Sequence, residues 1–272
     1  MTTPSEQQQK DLIRARFTRT AEVFGDYAVN YRVRFAESLM RLVGAGHREI
    51  VADLACGPGT LALRFAPQVR RVYGLDLTPA MLARARQSAA KEGLTNLDFA
   101  IGDAQALPFA DRSVHIAVTS YSLHHIPDPA RVVREMARVV KVGGRVGLID
   151  IFASEDPKDA ALSNRIERAR DPSHTRTLAK SELAQLLADA GLRVIGSEVE
   201  YPPRSFDHWL QVAGWRRGDP AYIETRRLME DAIRDKVTQF RAQFGPPDAN
   251  KPGEPPDIQM VNPTLFIGAV QS

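Results

Sequence analysis

The sequence has few of the features that mark secreted, metal-bound or membrane-embedded chains. A single cysteine, Cys56, among 272 residues excludes an internal disulfide and a cysteine-rich zinc site, and it fits a reducing compartment. No apolar run approaches the roughly 20 residues that span a bilayer. The start, MTTPSEQQQK, also lacks the basic and then apolar pattern of a secretory signal. We therefore expect a soluble, cytoplasmic protein without membrane insertion.

The charge likewise shows no strong excess of one sign. The 36 basic and 33 acidic residues are interspersed, so that the formal net charge is only +3. Because no basic run is present that would follow a phosphate backbone, we expect no nucleic-acid partner. With 43% hydrophobic content the chain can bury one sizeable core. We predict a single domain over residues 1–272 and leave its oligomeric state open.

Strand-like and helical patterns alternate in the first half of the chain. Five short apolar runs, typical of buried strands, lie between residues 49 and 152: EIVADL, RRVYGLD, LDFAI, VHIAVTS and GGRVGLIDIF. Helical patterns separate most of them; one starts at Pro79 after a cap at Thr78, and another runs through PARVVREMARVV with one apolar face. This alternation predicts an α/β fold with a doubly wound parallel sheet.

The two ends of the chain depart from this alternation. LRVIGSEVE and TLFIGAV are further strand candidates, and residues 201–262 between them form an insertion that we expect to have no core of its own. The insertion contains a polar helical segment and the proline-rich loop GPPDANKPGEPPD. Residues 1–48 are predicted to be a helical lid, with Phe17, Phe24, Tyr27 and Tyr31 placed to cover a site. We expect the lid and the insertion to shape a substrate pocket.

The stretch from Val51 to Thr60, VADLACGPGT, predicts a nucleotide-like ligand. Gly57 and Gly59 permit a tight turn after a buried strand and let the backbone approach a ligand closely. The run from Gly57 to Ala62 also satisfies the G-x-G-x-x-A dinucleotide fingerprint, with an acid, Asp76, about 20 residues further on. The glycine loop alone therefore does not separate a nicotinamide dinucleotide from other adenosine cofactors.

Acids at three successive strand ends favour one of these cofactors. Asp53, at the end of the first strand, would repel a pyrophosphate but attract an ammonium group. Asp76 can accept both hydroxyls of a ribose, and Asp103 can accept from an adenine amine, with the Ala104 backbone alongside. S-adenosylmethionine fits, because it has an amino group, a sulfonium and no phosphate. Each acid alone could equally be a helix cap or a turn former.

Four ordered motifs carry a resemblance to a known family. They read VADLACGPGT, VYGLDLTPAMLARAR, IGDAQALPFADRSVHIAVTSYSLHHIPDP and VVKVGGRVGLIDI, and the resemblance that rests on them covers roughly residues 20–152. The chain resembles the class I S-adenosylmethionine-dependent methyltransferases, most of all the small-molecule branch that includes the ubiquinone and menaquinone biosynthesis enzymes. The resemblance implies a Rossmann-like sheet of seven strands, six parallel and the last antiparallel. The family usually has a third glycine where Ala55 stands.

The resemblance also implies the site residues. Cofactor contacts are expected from the lid and the strand ends: Tyr31, Asp53, Gly57, Gly59, Asp76, Leu77, Asp103, Ala104 and Ser120. The loop after the fourth strand, SYSLHHIPD, places two histidines beside the expected methyl group. It is not the (Asp/Asn)-Pro-Pro-(Tyr/Phe) motif of the nucleic-acid amino methyltransferases. A small-molecule acceptor, methylated at oxygen or activated carbon, is therefore favoured.

Two histidines are candidate catalytic residues. His125 is our choice for a general base, because a histidine with an ordinary pKa is available in its neutral form at physiological pH. His174 lies in DPSHTRTLAKSEL, a loop that the family topology puts over the pocket. Adjacent histidines without nearby carboxylate or cysteine ligands make a metal site improbable. Candidate acceptor-binding residues are Tyr27, His124, Arg176 and Trp209.

These roles leave alternatives open. The histidines could simply shape their loop, Arg176 could be a solvated surface residue, and Trp209 could belong to packing within the insertion. A nicotinamide-dependent oxidoreductase and a non-catalytic cofactor-binding protein also remain. The first is disfavoured by Asp53 and by the lack of a recognisable Tyr-x-x-x-Lys set.

Overall fold

The computed structural model describes residues 4–31, 33–237, 239–246 and 256–272. Within these ranges lie ten α-helices and ten strands, and none of the helices is long and apolar enough to cross a membrane. In chain order they are α1 (Glu6–Arg19), α2 (Ala21–Tyr31), α3 (Val33–Val43), β1 (Ile50–Leu54), α4 (Thr60–Phe65), β2 (Arg71–Asp76), α5 (Pro79–Lys91), β3 (Leu97–Ile101), β4 (Val114–Ser120), α6 (Pro129–Val139), β5 (Val140–Ile151), α7 (Pro157–Arg170), α8 (Lys180–Asp189), β6 (Leu192–Glu200), β7 (Pro203–Ser205), α9 (Phe206–Val212), α10 (Pro220–Arg234), β8 (Gln243–Phe244), β9 (Ile258–Val261) and β10 (Thr264–Gln271).

The main sheet has seven strands in the order β3-β2-β1-β4-β5-β10-β6. Six run parallel, and β10 is antiparallel to both of its neighbours, β5 and β6. Asp53 of β1 lies opposite Gly74 of β2 and Val118 of β4. The strand order reverses between β1 and β4, and ligands bind at the carboxyl ends of the strands beside such a switch point. The predicted seven-stranded fold is confirmed.

Helices cover both faces of this sheet. The apolar residues that we placed on one face of α6 are buried, among them Val132, Val133 and Met136. The helix begins at Pro129 because Pro is tolerated at the first helical position and because Asp128 accepts a hydrogen bond from the Arg131 backbone. Burial of each such side chain stabilises the fold by about 1.5–3 kcal/mol. The sheet edge that carries the predicted ligand loops is therefore held by packed helices.

The predicted lid divides into two parts. The apolar face of α3, with Phe35, Leu39 and Val43, packs against the sheet and belongs to its core. Only α1 and α2 extend over the carboxyl ends of the strands. Helix α1 begins with a capping box between Ser5 and Gln8, and it turns one face inward.

The insertion has a core of its own, and our expectation that it has none is wrong. Strands β7, β9 and β8 form a second sheet, which packs with α9 and α10 around Trp209, Phe206 and Phe240. Ile166 of α7 joins this cluster and ties the insertion to the rest of the chain. The expectation failed because the apolar residues of α10 lie on one helical face within a polar sequence.

Candidate active site

A cleft opens at the carboxyl ends of the central strands. Side chains from α1 and α2, including Ile13, Phe17 and Phe24, close it on one side. The structure brings six of the predicted cofactor residues together in its lining: Gly57, Asp76, Leu77, Asp103, Ala104 and Ser120. The side chain of Tyr31 lies outside what the structure describes.

The glycine loop adopts a left-handed backbone at three positions. The φ angles are +50° at Ala55, +55° at Gly57 and +84° at Gly59. A Cβ on Gly57 would meet no atom within 4 Å, so this residue leaves room for a ligand at the cleft. A Cβ on Gly59 would lie 3.1 Å from the Cβ of Ala85, so Gly59 serves the turn and its packing and does not line the cleft.

Asp76 ties the loop to the end of β2. Its carboxylate accepts hydrogen bonds from the backbone N–H groups of Gly57 and Thr78, both at 2.8 Å. Burial raises its pKa, although these two N–H groups oppose the shift. Because each carboxylate oxygen can accept more than one hydrogen bond, Asp76 still has capacity to accept from a ligand that enters the cleft.

Asp53 is buried beneath the same loop. Its Oδ2 accepts from the Ala62 backbone of α4 at 3.0 Å, while Oδ1 has no hydrogen-bond partner among the described residues. Burial raises the pKa of this carboxyl to about 8. The side chain is not part of the cleft lining. Part of its role is thus to hold the first turn of α4, and a cation above the loop would stabilise the ionised form of the carboxyl.

Asp103 faces the cleft from the loop after β3. It accepts from the Gln105 backbone at 2.9 Å and forms an ion pair of 2.7 Å with Lys10 of α1. Partial burial alone would raise its pKa, but the Lys10 ammonium and the Gln105 backbone lower it on balance. Lys10 is a residue that the sequence reading missed, because nothing in the sequence of α1 indicates that it reaches across to Asp103.

His125 lines the cleft, but its pKa is not the ordinary one that we expected. The ring is buried, and its Nδ1 lies 3.1 Å from both the carbonyl and the hydroxyl of Ser173. Burial, with the adjacent His124, lowers the pKa of His125 to about 3. Such a ring is neutral at physiological pH but binds a proton only weakly, which is unfavourable for a general base.

His124 does not itself line the cleft, but its ring lies behind that of His125, with centroids 4.3 Å apart, and it has the partner that a base requires. Its Nδ1 lies 2.5 Å from Oδ1 of Asp150, a buried residue near the end of β5. The other oxygen, Oδ2, accepts from the Leu123 backbone at 2.9 Å, which fixes the carboxylate in place. Asp150 was missed, although RVGLIDIF does show an acid at a fourth strand end. A histidine oriented by a carboxylate is the usual arrangement of a general base.

Three other predicted residues do not reach the cleft. His174 is buried and bonded through Nε2 to Asn164 at 3.0 Å, and burial lowers its pKa well below the usual value. Arg176 is exposed and paired with Glu182 at 2.7 Å. Trp209 is fully buried in the core of the insertion. These side chains are used in packing or at the surface.

Tyr27 borders a smaller cavity next to the cleft. Its ring lies 4.8 Å from the Arg204 guanidinium and 5.7 Å from the His208 ring. Tyr121, at the end of β4, lines both this cavity and the main cleft. Tyr27 is thus separated from the main cleft by one residue, and we retain its acceptor role only as a prediction.

The sequence matches a family model described as a methyltransferase domain over residues 51–144. It is 33% identical over 236 residues to the uncharacterized methyltransferase YcgJ of Bacillus subtilis, covering 85% of this chain and 92% of the relative. It is also 30% identical over 152 residues to the demethylmenaquinone methyltransferase of Listeria monocytogenes, covering 55% of this chain and 64% of that relative.

Solved structures share the fold. The crystal structure of YcgJ superposes with a TM-score of 0.76 at 29% identity, covering 88% of this chain and 98% of that one. A putative methyltransferase from Bacillus halodurans gives a TM-score of 0.76 at 27% identity, covering 87% of this chain and 98% of the other.

Proposed function

The chain belongs to the class I S-adenosylmethionine-dependent methyltransferases, and on that basis we propose that it methylates a small molecule at a hydroxyl oxygen or an activated carbon. The observation that carries this proposal is the pairing of His124 with Asp150 of β5 directly behind the cleft residue His125, whose ring centroid lies 4.3 Å from that of His124. An acceptor of either kind must lose a proton during transfer, and this pair is suited to take it.

The residues around the cleft fit the cofactor. In this proposal Asp76 accepts from the ribose hydroxyls and Asp103 from the adenine amine, and it is supported by the position of both residues in the cleft lining. The buried Asp53 carboxyl has an orphaned oxygen beneath the glycine loop, and an ammonium group above that loop would stabilise its ionised form, whereas a pyrophosphate would not. When bound, S-adenosylmethionine supplies a methyl group that its sulfonium already activates. The protein must then align the acceptor with the methyl group, exclude water and remove a proton.

Calorimetry with S-adenosylhomocysteine and NAD in parallel tests the cofactor. We expect S-adenosylhomocysteine to bind and NAD not to bind. Asp76→Ala should weaken binding by an order of magnitude or more, because each charge-assisted hydrogen bond contributes about 1.5–3 kcal/mol. Tight NAD binding without a response to S-adenosylhomocysteine would overturn the proposal.

The base assignment has its own test once a small-molecule screen has found an acceptor. His124→Gln should lower turnover at saturating substrate by roughly 10²–10⁴ and leave the affinity for S-adenosylhomocysteine nearly constant. Asp150→Asn should act in the same direction. His47→Gln, which changes an exposed histidine far along the chain, is the matched control. Near-normal turnover of His124→Gln would show that His124 is not the general base.

A further inference from the structure

Helix α1 contacts the loop that carries His124 and the cleft residue His125. Gln9 is almost fully buried, and its side-chain Nε2 donates to the carbonyl of His125 at 3.1 Å and to that of Ser173 at 2.6 Å. The two carbonyls belong to different loops, residues 120–128 after β4 and residues 171–177 after α7. The side-chain amide of Gln9 therefore connects α1 to two loops that are distant from it and from each other in sequence.

The same face of α1 makes two further contacts with these loops. Arg16 forms a buried ion pair with Asp171 at 3.0 Å, and Asp171 in turn accepts from the backbone and the hydroxyl of Ser173. The Phe17 ring meets the His125 ring edge-on, with centroids 5.2 Å apart. Gln9 and Arg16 thus lie on the same face of α1, and both attach this pair of loops to the helix.

The second loop also holds the backbone of the base itself. Thr175 donates to the carbonyl of His124 from its backbone at 2.8 Å and from its hydroxyl at 2.9 Å. Asp150 holds the same segment from β5, through the Leu123 backbone and the His124 ring. A displacement of residues 171–177 would therefore pull on the His124 carbonyl and disturb the contact of its ring with Asp150. A shift of α1 would therefore be transmitted through Gln9 and Ser173 to His124.

Helix α1 is at the same time a wall of the cofactor cleft. Lys10, the next residue after Gln9, forms the ion pair with Asp103, and Ile13 and Phe17 line the cleft. The helix that contacts the loops through Gln9 therefore also borders the space that the cofactor would occupy.

We infer that Gln9 is a positioning residue that aligns the His124–Asp150 pair by holding the loops of residues 120–128 and 171–177 against α1. The inference rests on the proposed function of that pair. It gives α1 a second role besides lining the cleft, because the helix also keeps the base aligned.

Gln9→Met tests this, because it keeps the length of the side chain and removes both donors. Gln7→Met is the matched control, since Gln7 is exposed on the same helix and pairs only with Asp11 among the described residues. Both variants are compared with the wild type in the presence of S-adenosylhomocysteine. The readouts are its affinity by calorimetry, hydrogen exchange, and the NMR resonance of the His124 Nδ1 proton, which the short contact with Asp150 shifts downfield.

In Gln9→Met we expect hydrogen exchange over residues 120–128 and 171–177 to rise about ten-fold, because two hydrogen bonds are lost. The His124 resonance should move upfield or broaden, while the affinity for S-adenosylhomocysteine stays within about three-fold. Gln7→Met should match the wild type in all three readouts.

Unchanged loops and an unchanged resonance in Gln9→Met would overturn the inference, as would an equal change in Gln7→Met. If Gln9→Met fails to fold, Gln9→Asn decides by the same criteria, because its amide is one methylene too short to reach both carbonyls. A wild-type protein that does not bind S-adenosylhomocysteine would instead refute the proposed function.

Discussion

We expect Asp53 to couple cofactor binding to the release of a proton. Its carboxyl has a pKa of about 8 in the ligand-free protein, so it is largely protonated at neutral pH. An ammonium group above the loop favours the ionised form, and binding of S-adenosylhomocysteine at pH 7 should release close to one proton. Calorimetry in buffers of different ionisation enthalpy measures this number directly. In Asp53→Asn the release should fall towards zero, and a release that persists would contradict the assignment to Asp53.

The same shift predicts how the ligand-free protein responds to pH. A folded pKa above the ordinary value of 3.8 means that the protonated Asp53 stabilises the fold. This contribution is complete below about pH 4 and is lost as the pH rises through about 8. The free energy of unfolding, followed by urea titration across that range, should therefore decline in the wild type and decline less in Asp53→Asn.

Ala55 occupies a backbone conformation that suits glycine. Its φ of +50° costs an L-residue about 1–2 kcal/mol, whereas glycine would pay about 0.5–1 kcal/mol in conformational entropy. Ala55→Gly should accordingly raise the free energy of unfolding by about 0.5 kcal/mol, and denaturant titration can detect it. Ala52→Gly, in the buried strand β1, should lower it instead. A loss of stability in Ala55→Gly would show that the methyl group has a packing role.

The site was predictable where chemistry depends on local sequence. Asp76 and Asp103 follow strands, and the carboxyl ends of parallel strands meet at one edge, so their joint location at the cleft could be inferred. The environment of His125 could not, because it depends on Ser173, which lies 48 residues away. Hydrophobic pattern and motif spacing predict where a loop lies in the sequence. They do not predict how buried a side chain is or which residues it contacts, because its neighbours come from segments that only the fold brings together.

At the scale of elements, α1 is attached by a buried charge. Arg16→Met would leave the Asp171 carboxylate buried without a cation, which costs about 3–5 kcal/mol if the helix stays in place. Helix α1 can instead undock and hydrate Asp171, so the loss should be local. Hydrogen exchange should rise over residues 6–19 and stay unchanged in β1 and β4. Arg14→Met, an exposed change on the same helix, should leave both unaffected, and exchange throughout the sheet would contradict local undocking.

The elements themselves were predicted unevenly. The strands and α6 were predicted because their apolar periodicity is strong and turn residues bound them. The lid was only partly predicted, since the sequence does not show that α3 packs on the sheet while α1 lies over the cleft. The glycines Gly147 and Gly268, which leave room for Leu39 and Leu42 of α3, are informative only when the facing helix is known.

On the scale of the whole molecule, the insertion and the cofactor cleft have separate cores. Trp209→Ala should remove about 3–5 kcal/mol of stability, because the side chain is fully buried. The affinity for S-adenosylhomocysteine should remain within about two-fold under conditions where the protein stays folded, since Trp209 does not line the cleft. Thermal unfolding and calorimetry on one sample measure both. A strong loss of affinity in the folded variant would show that the two cores are coupled.

The position of β10 has a consequence for biosynthesis. This strand is translated after every other strand of the sheet, yet it lies between β5 and β6 and pairs with both. At roughly 5–20 residues per second, the ribosome needs on the order of 5–25 seconds to reach the end of β10 after it has completed β5. During that interval the nascent chain presents β5 as an open edge, and β6 has no strand to join. Chaperones that shield such edges would therefore matter most for this protein in the last seconds of its translation.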